Sequence, residues 1–136
     1  MKNCLIVYSD YYKDISKNLL NGCVKILNKD KIKYDVYCVD GSFEIPQLIN
    51  LKLKSKKYNG AIALGCIIKG QTPHFNFIAK TITNSLMDLS LKHNVPISNG
   101  VLTCLNKSQS KVRSTGSKNK GIEASKALIS VFDNLK

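Results

Sequence analysis

Four short, nearly continuous apolar runs alternate with four stretches of helical hydrophobic spacing, and this alternation leaves the chain few folds to choose from. The runs cover residues 4–8, 34–39, 60–66 and 96–102. They are rich in Val, Ile, Leu and Tyr without a polar residue at every second position, the pattern of strands covered on both faces. Helical stripes follow each run: Ile15, Leu19, Cys23, Val24 and Leu27; Ile45, Leu48, Ile49 and Leu53; Phe75, Ile78, Ile82, Leu86 and Leu89; and Leu128, Ile129, Phe132 and Leu135. The order β-α-β-α-β-α-β-α predicts a three-layer α/β/α, flavodoxin-like sandwich around a four-stranded parallel sheet. With 136 residues and no internal repeat, residues 1–136 are expected to form a single domain.

The longest uncharged apolar run, residues 61–68, falls far short of the roughly 20 residues that span a bilayer. The apolar residues 4–8 are too few for the core of a secretory signal, so the expected location is cytoplasmic and no membrane partner is expected. Five cysteines are scattered through apolar segments and never stand in C-x-x-C spacing. They read as reduced core residues rather than a disulfide scaffold or a zinc site. The net charge of +12 rests on 20 lysines and one arginine, Arg113. Lysines spread along the chain make a solvated surface, whereas reading base edges leans on arginine forks, so nucleic acid is not an expected partner.

Parallel α/β folds bind ligands at the C-terminal edge of the sheet. Four segments reach that edge: residues 9–14, 40–46, 67–74 and the polar stretch 106–121, in which a short helix is expected after Asn106 as N-cap, then a loop around Gly116. In the third segment Thr72 and Pro73 signal a helix start, with Thr72 capping and Pro73 in the first position. Gly70 beside them would let backbone N–H groups approach an anion, although many such turns are purely structural. His74 is expected in the first turn, where the helix dipole disfavours its cationic form and leaves it available as a base. His93 precedes Asn94 and Pro96 at a helix end, where it caps carbonyls or complements the dipole, with no catalytic role. Ser42 and Glu44 suit a hydroxylated ligand chain, and Glu44 equally suits a helix N-terminus. Tyr11 and Tyr12 offer rings for stacking on a planar ligand.

Taken together these segments resemble the lumazine synthase family. Residues 41–46, Gly-Ser-Phe-Glu-Ile-Pro, match the family's G-A-F-E-I-P. Residues 63–75 match A-L-G-x-V-I-R-G-x-T-x-H-F/Y, and residues 100–103 with 114–121 match the G-x-L-T and G-N-K-G regions. The resemblance implies a transferase of riboflavin biosynthesis that condenses 5-amino-6-(D-ribitylamino)uracil with 3,4-dihydroxy-2-butanone 4-phosphate, without cofactor or metal, and passes its product to riboflavin synthase. It implies His74 as the proton-transfer residue. It assigns Tyr11, Ser42, Phe43, Glu44, Ile67, Ile68, Asn99 and Lys120 to the pyrimidine and ribityl chain, and Gln71, Thr72 and Arg113 to the phosphate. It further implies a homo-oligomer built from pentamers, with Arg113 and Lys120 reaching the site from a neighbouring subunit. Arginine's planar fork grips phosphate as a lysine point charge does not, which gives the chain's one arginine a reason. The chain departs from the family pattern at Tyr11 (usually Phe), Tyr12 (often Asn), Lys69 (usually Arg) and Asn99 (often Phe), and in a loop one residue short before Asn119. The alternative reading is a flavodoxin-like flavin-binding module; the acidic and aromatic loop 9–14 lacks the Ser/Thr/Gly phosphate nest such a module needs.

Overall fold

The structure is a computed structural model and describes residues 2–70 and 74–136. Strands β1 (Asn3–Ser9), β2 (Lys33–Val39), β3 (Gly60–Ile68) and β4 (Ile97–Cys104) form one parallel sheet in the order β2-β1-β3-β4. Helices α1 (Lys13–Lys29) and α5 (Lys120–Asp133) cover one face; α2 (Glu44–Leu53) and α3 (Phe75–His93) cover the other. A short α4 (Lys107–Val112) and a single 3-10 turn, Gly116–Lys118, link β4 to α5. Neighbouring side chains of one strand enter opposite layers. Cys4 and Ile6 pack with Leu19 and Leu128, while Leu5 and Val7 pack with Ile49 and Ile82. Both faces of the inner strands are therefore apolar, and all nine residues of β3 are buried.

The helices form where the stripes predict. In α1 the residues Ile15, Leu19, Cys23 and Leu27 are fully buried at intervals of one turn. In α5 the buried residues are Ala124, Leu128 and Phe132, but Leu135 lies beyond the helix and is exposed. Asn106 caps α4 as expected, its side chain accepting from the Gln109 N–H at 2.9 Å.

Three expectations need correction. The run 34–39 is not buried on both faces, because β2 is an edge strand that leaves Val36 and Cys38 exposed. Of the five thiols, only Cys4, Cys23, Cys66 and Cys104 are core residues. Helix α3 begins at Phe75, so His74 is its N-cap and not a residue of its first turn. The expected cap Thr72, with Gln71 and Pro73, lies outside the described residues.

Candidate active site

The order β2-β1-β3-β4 reverses direction between β1 and β3, and an α/β sheet opens a crevice at the carboxyl ends of strands at such a point. A cavity of about 240 Å³ lies there, lined by Tyr11, Tyr12, Gly41, Ser42, Phe43, Cys66, Ile67, Ile68 and Ile78. The ladder with β1 stops at Leu64, whereas the ladder with β4 continues to Ile68. Along residues 65–68 the β1 side of β3 thus has no strand partner among the described residues. Backbone groups there can hydrogen-bond the edge of a planar ring, while the strand stays fixed from the β4 side. The strand runs two residues further than expected, and these two are Ile67 and Ile68.

Around this backbone the side chains take distinct roles. Tyr11 is 69% exposed and meets Tyr12 edge to face, with centroids 4.9 Å apart and planes at 78°. Tyr12 is held by packing against the α1 side of the core and by Lys107, whose ammonium lies 5.4 Å from its ring centroid. Burial, then Tyr11 and Cys66, push the Tyr12 hydroxyl pKa upward. Ser42 is buried, its hydroxyl 3.1 Å from that of Ser9, and Ser9 Oγ and Ser42 Oγ would lie within 3.0 Å of any Cβ at Gly65. Phe43 is 52% exposed at the cavity mouth. Glu44 lies outside the lining. Its Oε1 accepts from the Gly41 N–H at 3.1 Å, which favours the helix-terminus reading of that carboxylate.

His74 is exposed at the start of α3, its ring 6.5 Å from that of Phe77. Its carbonyl accepts from the N–H of Ile78, the α3 residue that lines the cavity. The preceding Gly70 has φ of 85°, a left-handed conformation that favours glycine. His93 does not line this cavity: it stands in the last turn of α3, as expected, and its Nε2 lies 2.9 Å from Asn50 Oδ1, tying α3 to α2. Burial, and then Lys92, Lys54 and Lys56, hold its pKa down.

The remaining predicted residues gather elsewhere. Asn99, Arg113 and Lys120 line a second cavity of about 370 Å³ with Thr83, Val101, Leu102, Thr103, Lys118 and Glu123, and it has no residue in common with the first. Asn99 Oδ1 accepts from the Val101 N–H at 3.0 Å, closing a donor on the edge strand β4. Arg113 points its Nη1 toward Cys104 Sγ at 3.9 Å. Lys120 pairs with Glu123 at 3.1 Å across one turn, and its backbone N–H donates to the Arg113 carbonyl at 2.8 Å. Tyr12, offered with Tyr11 as a stacking ring, does line the first cavity, whereas Cys66 and Ile78 there and Thr83, Thr103, Lys118 and Glu123 in the second were not singled out as site residues. Their places follow from the strand register and from helix packing, which no local pattern encodes.

No helix among the described residues is long and apolar enough to cross a membrane. Among solved structures, a de novo designed Rossmann fold protein aligns over 82% of this chain and 92% of its own, with a TM-score of 0.41 and 14% identity, too loose a likeness to bear on the fold. The sequence matches the family model described as 6,7-dimethyl-8-ribityllumazine synthase over residues 2–136. The 6,7-dimethyl-8-ribityllumazine synthase of Bartonella bacilliformis is 41% identical over 128 residues, covering 92% of this chain and 84% of its own. Those of Nitrobacter hamburgensis and Buchnera aphidicola are 37% and 38% identical, covering 94% and 90% of this chain and 82% and 80% of their own. Matched by that family model over residues 2–136 and by these relatives over nine-tenths or more of its length, the chain belongs to the lumazine synthase family of riboflavin-biosynthesis transferases.

Proposed function

We propose that the chain condenses 5-amino-6-(D-ribitylamino)uracil with 3,4-dihydroxy-2-butanone 4-phosphate to 6,7-dimethyl-8-ribityllumazine, at sites completed by a neighbouring copy of itself. The observation that carries this reading is the division of eight predicted residues between two separate cavities, Tyr11, Ser42, Phe43, Ile67 and Ile68 in one and Asn99, Arg113 and Lys120 in the other. The first holds ring-stacking and backbone hydrogen-bonding groups; the second holds the one arginine. A site that needs both is incomplete in one chain and complete where the second cavity of one copy faces the first of another. A closed ring of copies, a pentamer or a multiple of it, satisfies this with a single repeated contact.

In this reading Tyr11 stacks on the pyrimidine, the open backbone at Ile67 and Ile68 receives its polar edge, and Ser42, Phe43 and Asn99 hold the ribityl chain and ring. Glu44 fixes the Gly41 turn that presents Ser42, Lys120 supports the neighbour's wall, and Arg113 with Gln71 and Thr72 binds the phosphate. The substrate amine attacks the ketone and water leaves to give an imine. A proton is then taken from C3 and phosphate is eliminated from C4; the resulting enol becomes a C3 ketone, which the ribityl-bearing amine attacks to close the ring with loss of a second water. His74 relays protons between these steps, and Arg113 steadies the negative charge that grows on the departing phosphate. Holding two reactants in contact supplies much of the acceleration. The relatives are synthases, which sets aside the flavin-binding module. The unpaired thiols fit a reducing cytoplasm, and the product is the substrate class of a riboflavin synthase.

The test combines the two substrates with purified protein and follows lumazine absorbance. Absence of product above the uncatalysed background overturns the reading. Co-assembling Tyr11→Ala with Arg113→Ala chains tests the shared site. In a random one-to-one assembly about a quarter of all interfaces then receive both intact halves, so activity rises above either variant alone. No gain on mixing overturns the interfacial arrangement.

A further inference from the structure

Asn119 is the polar residue on which the second cavity is built, although its side chain lines neither cavity. It is 7% exposed, and its carboxamide is engaged at both ends. Nδ2 donates to the Asn18 carbonyl of α1 and to the Ser114 carbonyl, each at 2.9 Å, and Oδ1 accepts from the Gly121 N–H at 2.8 Å. Ser114 follows Arg113 and Gly121 follows Lys120, so one buried amide holds the two basic residues from behind. The Lys120 N–H bonded to the Arg113 carbonyl closes the same bracket.

The surrounding glycines are fitted to this side chain. A Cβ on Gly22 of α1 would lie 2.6 Å from Asn119 Nδ2 and 2.8 Å from its Cγ, and a Cβ on Gly121 would collide with the Leu19 carbonyl. No common replacement satisfies the pocket. Aspartate keeps an acceptor for Gly121 but presents oxygen to two carbonyls, while serine and alanine lack the reach and the paired donors. A buried acceptor left without its donor is costly, so the loop carrying Arg113 would shift rather than stay in place.

We propose that Asn119 is a positioning residue for anion binding: through the Ser114 carbonyl, the Gly121 N–H and the Asn18 carbonyl it fixes where Arg113 stands. This rests on Arg113 being the phosphate ligand, as proposed above. A merely structural cap would lower stability and affect both substrates alike. A positioning residue raises the KM of the phosphorylated ketone and leaves that of the aminouracil nearly unchanged.

The experiment measures both KM values, kcat and competitive inhibition by inorganic phosphate for Asn119→Asp, Arg113→Ala and their double variant, with circular dichroism confirming the fold. Gly22→Ala joins the set because it displaces the Asn119 side chain without altering it, and alanine is the better helix former. We expect Asn119→Asp to raise the ketone KM and the phosphate inhibition constant ~10-fold, as a misplaced binding group does, with the aminouracil KM within ~2-fold. Gly22→Ala moves the same constants in the same direction, and the double variant is no worse than Arg113→Ala, because both changes act on one interaction. Equal rises in both KM values, a lowered melting temperature with unchanged kinetics, or additive effects in the double variant overturn the inference. If Arg113→Ala leaves phosphate inhibition unchanged, the phosphate assignment itself falls, and the inference falls with it.

Discussion

The two cavities that hold predicted site residues solve opposite problems with opposite materials. The first is walled by aromatic rings and the unpaired side of a buried strand, so it suits a flat, largely uncharged ring. Its parts are held by the core: Ile67 and Ile68 belong to β3, and Tyr12 packs against the α1 side of the sheet. The second is walled by the edge strand β4, the loop after α4 and the first turn of α5, and it presents three cations and one carboxylate. Core packing fixes the first, and a few hydrogen bonds fix the second. Stacking is short-ranged and indifferent to salt, whereas charge recognition is strong and screened.

The largest expected loss lies at His74, the N-cap of α3. His74→Ala should lower kcat ~100-fold or more, the range of a positioned acid-base group, with a smaller change in either KM. A comparable rise in KM with unchanged kcat would make His74 a binding residue. Arg113→Ala comes next. Loss of a charge-assisted contact worth ~2–3 kcal/mol should raise the ketone KM ~30- to 150-fold and spare the aminouracil. Arg113→Lys should recover only part, since it keeps the charge but not the fork. Added salt should weaken ketone binding in the wild type and much less in Arg113→Ala; equal salt slopes would mean that Arg113 is not the contact. Tyr11→Ala should then cost ~10-fold in aminouracil KM, with Tyr11→Phe close to wild type because the ring carries the stacking. Equal losses for both Tyr11 variants would assign the role to the hydroxyl.

The contrast also explains what could be read from the residues. The inner layers were legible because burial on both faces of β1 and β3 forces continuous apolar runs, and four of the five residues of the α1 stripe, all but the half-buried Val24, are buried side chains. Strand β2 was misjudged because an edge strand can carry the same residues with half the burial. The start of α3 was misjudged by two residues: the sequence signal points to position 73, and the helix begins at Phe75. Tyr11, Ser42 and Arg113 were singled out through the family resemblance together with the chemistry of their side chains. Asn119 was not singled out: its donors and acceptors are backbone groups of Asn18, Ser114 and Gly121, and no spacing rule encodes a contact 101 residues away.

The smallest expected effect concerns the Cys66 thiol in the wall of the first cavity. Burial, and after it the neighbouring Cys104, push its pKa up to about 12, and burial pushes that of Cys23 to about 11. A folded-state pKa raised above the ordinary thiol value means that the fold holds the proton more tightly than the unfolded chain does. The associated stability is complete below about pH 8.5, where both states are protonated. It is lost as the pH climbs toward the folded values, because the unfolded thiols ionise first. The urea midpoint should therefore be flat through neutrality and fall on the alkaline side. In Cys66→Ala the fall between about pH 9 and pH 11 should be shallower than in the wild type. No cysteine lines the second cavity, so Arg113→Ala should leave that alkaline slope unchanged. If Cys66→Ala declined as steeply as the wild type, the thiol would be titrating near its ordinary value. The first cavity would then be wetter than its apolar lining implies, and the contrast between the two cavities would weaken accordingly.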